Sequence, residues 1–136
     1  MHRLDETTFV AARNIVPADI PTVAAQGVRL IVNNRPDGEE PDQPASREIE
    51  AAARAAGLDY RHIPVAGRFP PEQVEEMVRA LDQGPVLAFC RSGTRSTFLW
   101  ALARAARGVP AEQSIAAAAS AGYDLGPIRA LLQNPS

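Results

Sequence analysis

Four glycines punctuate this chain at helix-length intervals, and that punctuation is the strongest limit on its fold. Gly27, Gly57, Gly84 and Gly108 follow segments 18–26, 46–56, 72–83 and 96–107, each at the place where a helix takes a left-handed C′ residue. Between these segments lie apolar runs of strand length at 28–33, 60–65 and 85–90, with a weaker first strand at 8–12. Strands that read as continuous apolar runs are covered on both faces, so the alternation predicts a three-layer α/β/α sandwich around a mostly parallel sheet of 4–5 strands. Pro64 puts the end of its strand, or an edge of the sheet, at that point. Val74, Met77, Val78 and Leu81 form one buried helical stripe. Phe98, Leu99, Trp100 and Leu102 surround much of the 96–107 helix, which is therefore central, and 111–121 and 126–132 read as two closing helices.

Size and charge narrow the function. The 136 residues, 46% hydrophobic and 22% charged, suit one domain spanning 1–136 with an ordinary core. All fourteen basic residues are arginine. Without lysine there is no Schiff-base or pyridoxal-phosphate anchor and no lysine-dependent nucleotide loop. The net charge of −2, with arginines and acids interleaved, predicts no nucleic-acid or membrane partner. The N-terminal residues lack a signal-peptide apolar core, and no apolar run approaches the ~18 residues of a membrane span, so a cytoplasmic location is expected. One cysteine and two histidines make no metal ligand set, and no cofactor is expected.

The chemistry concentrates in Cys90-Arg91-Ser92-Gly93-Thr94-Arg95-Ser96. A strand ends at Cys90 and a helix begins near Ser96, so the loop must curl and aim its amides inward as an anion nest at the positive end of the helix. Gly93 permits a close approach or a positive φ. Arg95 offers a planar fork for two oxygens of an oxyanion, with Arg91, Ser92, Gly93, Thr94 and Ser96 as further substrate-binding positions. Donors that hold an anion also favour a thiolate, which makes Cys90 a nucleophile at neutral pH without a histidine base. Burial as a small hydrophobe is the common fate of a lone cysteine. Two arginines, a glycine and two hydroxyls directly behind Cys90 argue against it here.

The segment 33–44 is polar, carries three prolines and must be a loop leaving the carboxyl end of a strand, where function collects in α/β sheets. Within it Arg35 either binds a substrate anion beside the cysteine loop or pairs with Asp37 or Glu39, and Asn33 and Asn34 tie the loop to the strand end. His62, inside a strand, is expected to be structural rather than a base for Cys90. Arg68 reads as a solvated arginine, and Glu72 as a carboxylate favoured by its helix start.

The stretches 33–44, His62-Ile63-Pro64-Val65 and Cys90 to Ser96 together resemble the phosphatase-like domain of the beta-lactamase-hydrolase-like proteins, over essentially the whole chain. The resemblance implies a protein-tyrosine and dual-specificity-phosphatase-like fold. It also implies an occurrence alone or beside a metallo-β-lactamase-fold persulfide dioxygenase. Cysteine phosphatases space their arginine as Cys-x5-Arg, whereas Arg95 follows Cys90 with four residues between, a length similar to rhodanese loops. Those hydrolases also carry an aspartate on the loop after the strand that corresponds to 62–65, and here that loop, Ala66-Gly67-Arg68-Phe69-Pro70-Pro71, holds no acid. These departures point first to a cysteine-dependent sulfurtransferase that carries sulfane sulfur as a Cys90 persulfide from a small anionic sulfur compound to an external thiol. The alternative is a phosphatase-like hydrolase acting through a phosphocysteine. A third reading is a non-catalytic persulfide- or anion-binding module that partners a persulfide dioxygenase.

Overall fold

The computed structural model describes residues 1–133. Its five strands are β1 (His2–Asp5), β2 (Thr8–Val10), β3 (Leu30–Asn33), β4 (Asp59–His62) and β5 (Val86–Phe89). They form one sheet in the order β1-β2-β5-β3-β4. Only the β1–β2 hairpin is antiparallel; β2, β5, β3 and β4 run parallel, with Val32 opposite both Ala88 and Arg61. The helices are α1 (Ile20–Ala25), α2 (Ser46–Ala55), α3 (Pro71–Leu81), α4 (Thr94–Ala106), α5 (Ala111–Ser120) and α6 (Arg129–Gln133), with short 3₁₀ turns before α1 and α6.

Successive strand residues face opposite ways, and the core divides accordingly. Leu30, Val32, Val86 and Ala88 pack with Met77 and Ala80 of α3 and with Leu99, Trp100 and Ala103 of α4. Ile31, Leu87 and Phe89 pack on the other face with Ile20 and Val23 of α1 and Ile49 and Ala53 of α2. The result is the expected three-layer α/β sandwich. The stripe on α3 and the central position of α4 also agree with the sequence, since Leu99, Trp100, Ala101 and Ala103 are wholly buried. Pro64 does mark an edge: β4 is the outer strand and ends two residues earlier.

Three details differ from expectation. His2 belongs to an edge strand, β1, hidden from the apolar pattern because only Leu4 of its four residues turns into the core. Gly27, Gly57 and Gly108 have positive φ as expected of C′ residues, but Gly84 does not. It lies three residues beyond the end of α3 and is small for want of room, since a Cβ there would stand 3.1 Å from the Thr7 carbonyl. Finally, α4 starts at Thr94, so Arg95 and Ser96 lie inside its first turn.

The parallel strands place the exits of β3, β4 and β5 at one edge of the sheet. Loops separated by tens of residues in sequence therefore meet over the start of α4.

Candidate active site

Cys90 follows β5 directly and is buried. Gly93, with φ of 92°, turns the chain back, and its N–H donates to Cys90 Sγ at 3.2 Å. Burial pushes the thiol pKa up, but the Ser96 amide and hydroxyl and the Ser92 and Gly93 amides outweigh it, so it lies below the ordinary thiol value. The positive end of α4 acts in the same direction. Ser96 is wholly buried and its hydroxyl makes no hydrogen bond of its own, but its nearness to the sulfur favours the thiolate. Thr97 is occupied otherwise: its Oγ1 donates to the Gly93 carbonyl at 2.8 Å and locks the turn. Ser92 and Thr94 pair with each other through their hydroxyls at 3.1 Å on the exposed rim.

Among the described residues the hydrogen bond that reaches the sulfur comes from Gly93, and the start of α4, Ser96 included, favours the thiolate from beyond Arg95. Counting residues to the arginine suggests a ring one residue smaller than that of a cysteine phosphatase. The influence on the thiol nevertheless extends to Ser96, the sixth residue after the cysteine.

The 33–44 loop folds over this ring. Glu39 Oε2 accepts from Arg95 Nη1 at 2.7 Å and Glu39 Oε1 from Arg95 Nη2 at 2.9 Å, a two-pronged pair. Arg95 Nη1 also donates to the Val65 carbonyl at 2.8 Å. Where the resemblance implies an acid, the loop after β4 therefore offers a backbone oxygen to an arginine. Arg35, whose side chain is only 4% exposed, donates from Nε to Glu39 Oε1 at 2.9 Å and sets Nη2 at 3.1 Å from Glu40 Oε1. Arg91 is largely exposed and places Nε 3.3 Å from the same Glu40 oxygen. Arg35, Glu39, Glu40, Arg91 and Arg95 line an open cleft of about 310 Å³. The two readings of Arg35 are thus combined: it faces the cysteine loop and it pairs with acids, though with Glu39 and Glu40, while Asp37 instead accepts from the Ser46 N–H at the start of α2.

Asn33 and Asn34 tie the loop down as expected. Asn33 Oδ1 accepts from the Arg35 N–H at 2.9 Å, and Asn34 Nδ2 donates to the Ile63 carbonyl at 2.9 Å. His62 Nε2 bonds the Arg35 carbonyl at 2.8 Å, the structural role expected of it. Arg68 and Glu72 are exposed.

Two contributions escaped the sequence reading. Glu39 was expected only as one of two possible partners of Arg35, and its second, two-pronged pairing with Arg95 carries no local signal. Tyr123, after α5, donates its hydroxyl to the Ser92 carbonyl at 3.0 Å and packs against Gly93.

The arginines also fix the charge state of Glu39. Hydrogen bonds from Arg95 first, and from Arg35, outweigh burial and hold its carboxyl at about 2 instead of the usual 4.5. A carboxyl held below its unfolded value stabilises the fold above that value and loses the contribution as pH falls through the folded one. Thermal unfolding of the wild type is therefore expected to lose stability between pH 4.5 and about 2, and Glu39→Gln to flatten that part of the profile. Equal slopes for the two proteins would refute the pairing.

A mostly parallel α/β sheet that ends in a buried, ring-held cysteine at the start of a central helix defines the tyrosine-phosphatase-like class. The chain matches the family model described as beta-lactamase hydrolase-like protein, phosphatase-like domain, over residues 2–107. It belongs to that family. It is 43% identical over 112 residues to a beta-lactamase hydrolase-like protein of Agrobacterium fabrum, covering 78% of this chain and 25% of that one. The chain thus spans about a quarter of the length of such curated relatives. Among solved structures, a protein of Neisseria meningitidis provisionally titled a phosphatase shares 36% identity and a TM-score of 0.84, covering 99% of this chain and 97% of that one. PTPMT1, solved in complex with PI(5)P, shares the fold at 17% identity and a TM-score of 0.73 over 98% of this chain and 92% of its own.

These likenesses correct the expected activity. The sulfurtransferase is not what the family carries: the matching domain is described as phosphatase-like, and the Neisseria protein at 36% identity is provisionally titled a phosphatase. With the persulfide goes the external thiol acceptor. Among the described residues no helix is long and apolar enough to cross a membrane.

Proposed function

We propose that this domain is a cysteine-dependent phosphatase-like hydrolase of small anionic phosphate compounds. The observation that carries the proposal is the buried sulfur of Cys90 at the mouth of α4, which accepts the Gly93 N–H at 3.2 Å and lies below the ordinary thiol pKa. The amides of this loop suit the equatorial oxygens of a phosphoryl group, as oxyanion donors must. A structural relative solved with a phosphoinositide and another solved with citrate support an anionic ligand.

In the reaction, the Cys90 thiolate attacks phosphorus, an S–P bond forms and the P–O bond to the leaving group breaks, its electron pair going to that oxygen. Water then attacks the phosphocysteine; the P–S bond breaks, the thiolate returns, phosphate leaves and the proton lost by water passes to solvent. Arg95, with the amides of Arg91, Ser92, Gly93 and Thr94, holds the phosphoryl oxygens. Ser96 stabilises the thiolate in both steps. Glu39 serves as a positioning residue that aims Arg95.

No acid stands on the loop after β4, and Glu39 is ionised at any working pH. General acid catalysis is worth about 10²–10⁴-fold, so its absence makes the rate depend on the leaving group. Across a series of aryl phosphates kcat/KM should fall steeply as the phenol becomes more basic, and acid-quenched protein should carry one phosphoryl group on Cys90. A flat series, or label on any other residue, would overturn this mechanism.

A further inference from the structure

The cleft beside the cysteine ring holds an unusual charge arrangement. Arg35 is nearly inaccessible, and its Nη2 is buried without a hydrogen-bond partner. It meets Glu40 Oε1 at 3.1 Å as an ion pair without hydrogen-bond alignment. Arg91, from the loop that carries Cys90, converges on that same oxygen at 3.3 Å. One anionic oxygen can therefore be held by both guanidiniums at once. The two acids of the cleft are fixed to different degrees. Glu39 is clamped by three charge-assisted hydrogen bonds, whereas the Glu40 side chain is 44% exposed and makes ion pairs only. Glu40 is the carboxylate that a competing anion can displace, and a buried arginine with an unmet donor gains most from an occupant that meets it.

Resting on the hydrolase reading, we propose that Arg35 and Arg91 form a second anion subsite, filled by Glu40 in the free protein, and that the substrate is a phosphoanhydride. Its terminal phosphoryl group sits in the Cys90 ring and the adjoining one on Arg35 and Arg91. Two independent features converge on this class. The subsite asks for a second negative charge on the leaving group. The acid-free loop after β4 asks for a leaving group that departs without a proton. A phosphate joined through a bridging oxygen satisfies both: when Sγ bonds to the terminal phosphorus, the bridging P–O bond breaks and its electrons stay on the departing phosphate. Water then frees the terminal phosphate from sulfur as before.

The test compares methyl diphosphate with p-nitrophenyl phosphate, which lacks a second anionic group. The ratio of kcat/KM, diphosphate over aryl phosphate, is expected to fall about tenfold in Arg91→Gln, the size of one partly solvated charge-assisted bond. It is expected to rise in Glu40→Gln, and both changes should lie mainly in KM for the diphosphate. A ratio that stays constant in either variant, or a wild type that cleaves only the aryl ester, overturns the subsite and leaves the hydrolase standing. Cleavage of neither compound removes the hydrolase reading. In that case calorimetry of imidodiphosphate with the full chain decides the subsite alone: binding weakened about tenfold by Arg91→Gln supports it, and binding indifferent to Arg91 or absent overturns it.

Discussion

Cys90→Ser is expected to lower kcat/KM for p-nitrophenyl phosphate by about 10⁴-fold or more, as loss of a nucleophile does, while the thermal unfolding midpoint moves little. The exchange is nearly isosteric, and the hydroxyl can still accept the Gly93 N–H that now reaches the sulfur. What is lost is ionisation. The donors from Ser92 to Ser96 lower a thiol enough to matter but cannot make an alkoxide at neutral pH. The same cause fixes the pH dependence. Because the thiolate is the reactive form and its pKa is depressed, alkylation of the wild type by iodoacetamide should have its midpoint below the ~8.5 of a free thiol. A midpoint at or above that value, or a serine variant that retains activity, would remove Cys90 from the mechanism.

Most of the fold could be read in the chain, for a physical reason that also explains the exceptions. Strands β3 and β5 are buried on both faces and appear as unbroken apolar runs, and the helices between them are bounded by glycines. The edge strand β1 has one inward residue, Leu4, and no run to see. The site divides along the same line. Cys90 to Ser96 could be recognised because strand, turn, anion-binding amides and helix start are contiguous. Glu39 could not, because its partner Arg95 is 56 residues away and only the parallel order of β3 and β5 joins them. Spacing was also a poor guide to ring size. Residue count places Arg95 in the fifth position after the cysteine, but the group that bonds the sulfur is the Gly93 amide, and the groups that favour the thiolate extend to Ser96.

The second large effect concerns the turn rather than the nucleophile. Gly93 takes φ of 92°, which costs a residue with a Cβ about 1–3 kcal/mol. It also has no room for one: a Cβ there would lie 2.2 Å from the Tyr123 hydroxyl and 2.7 Å from the Ala11 carbonyl. Overpacking of this kind adds about 1–3 kcal/mol, so Gly93→Ala should cost about 2–6 kcal/mol in all and lower the unfolding midpoint by roughly 7–20 °C. The loop has no independent way to relax, since Tyr123 is bonded to the Ser92 carbonyl and Thr97 to that of Gly93. Shifting the turn also draws the Gly93 N–H away from Sγ, so iodoacetamide should alkylate the folded variant with a higher midpoint pH than the wild type. Tyr123→Phe removes only part of the overpacking. In that background the hydroxyl clash is gone, but the ring Cζ at 2.9 Å, the backbone oxygen of Ala11 and the left-handed φ remain, so the double variant should recover only part of the lost stability. Full recovery would place the whole cost on the tyrosine contact, and a Gly93→Ala protein as stable as the wild type would mean that the turn around Cys90 is not the one described.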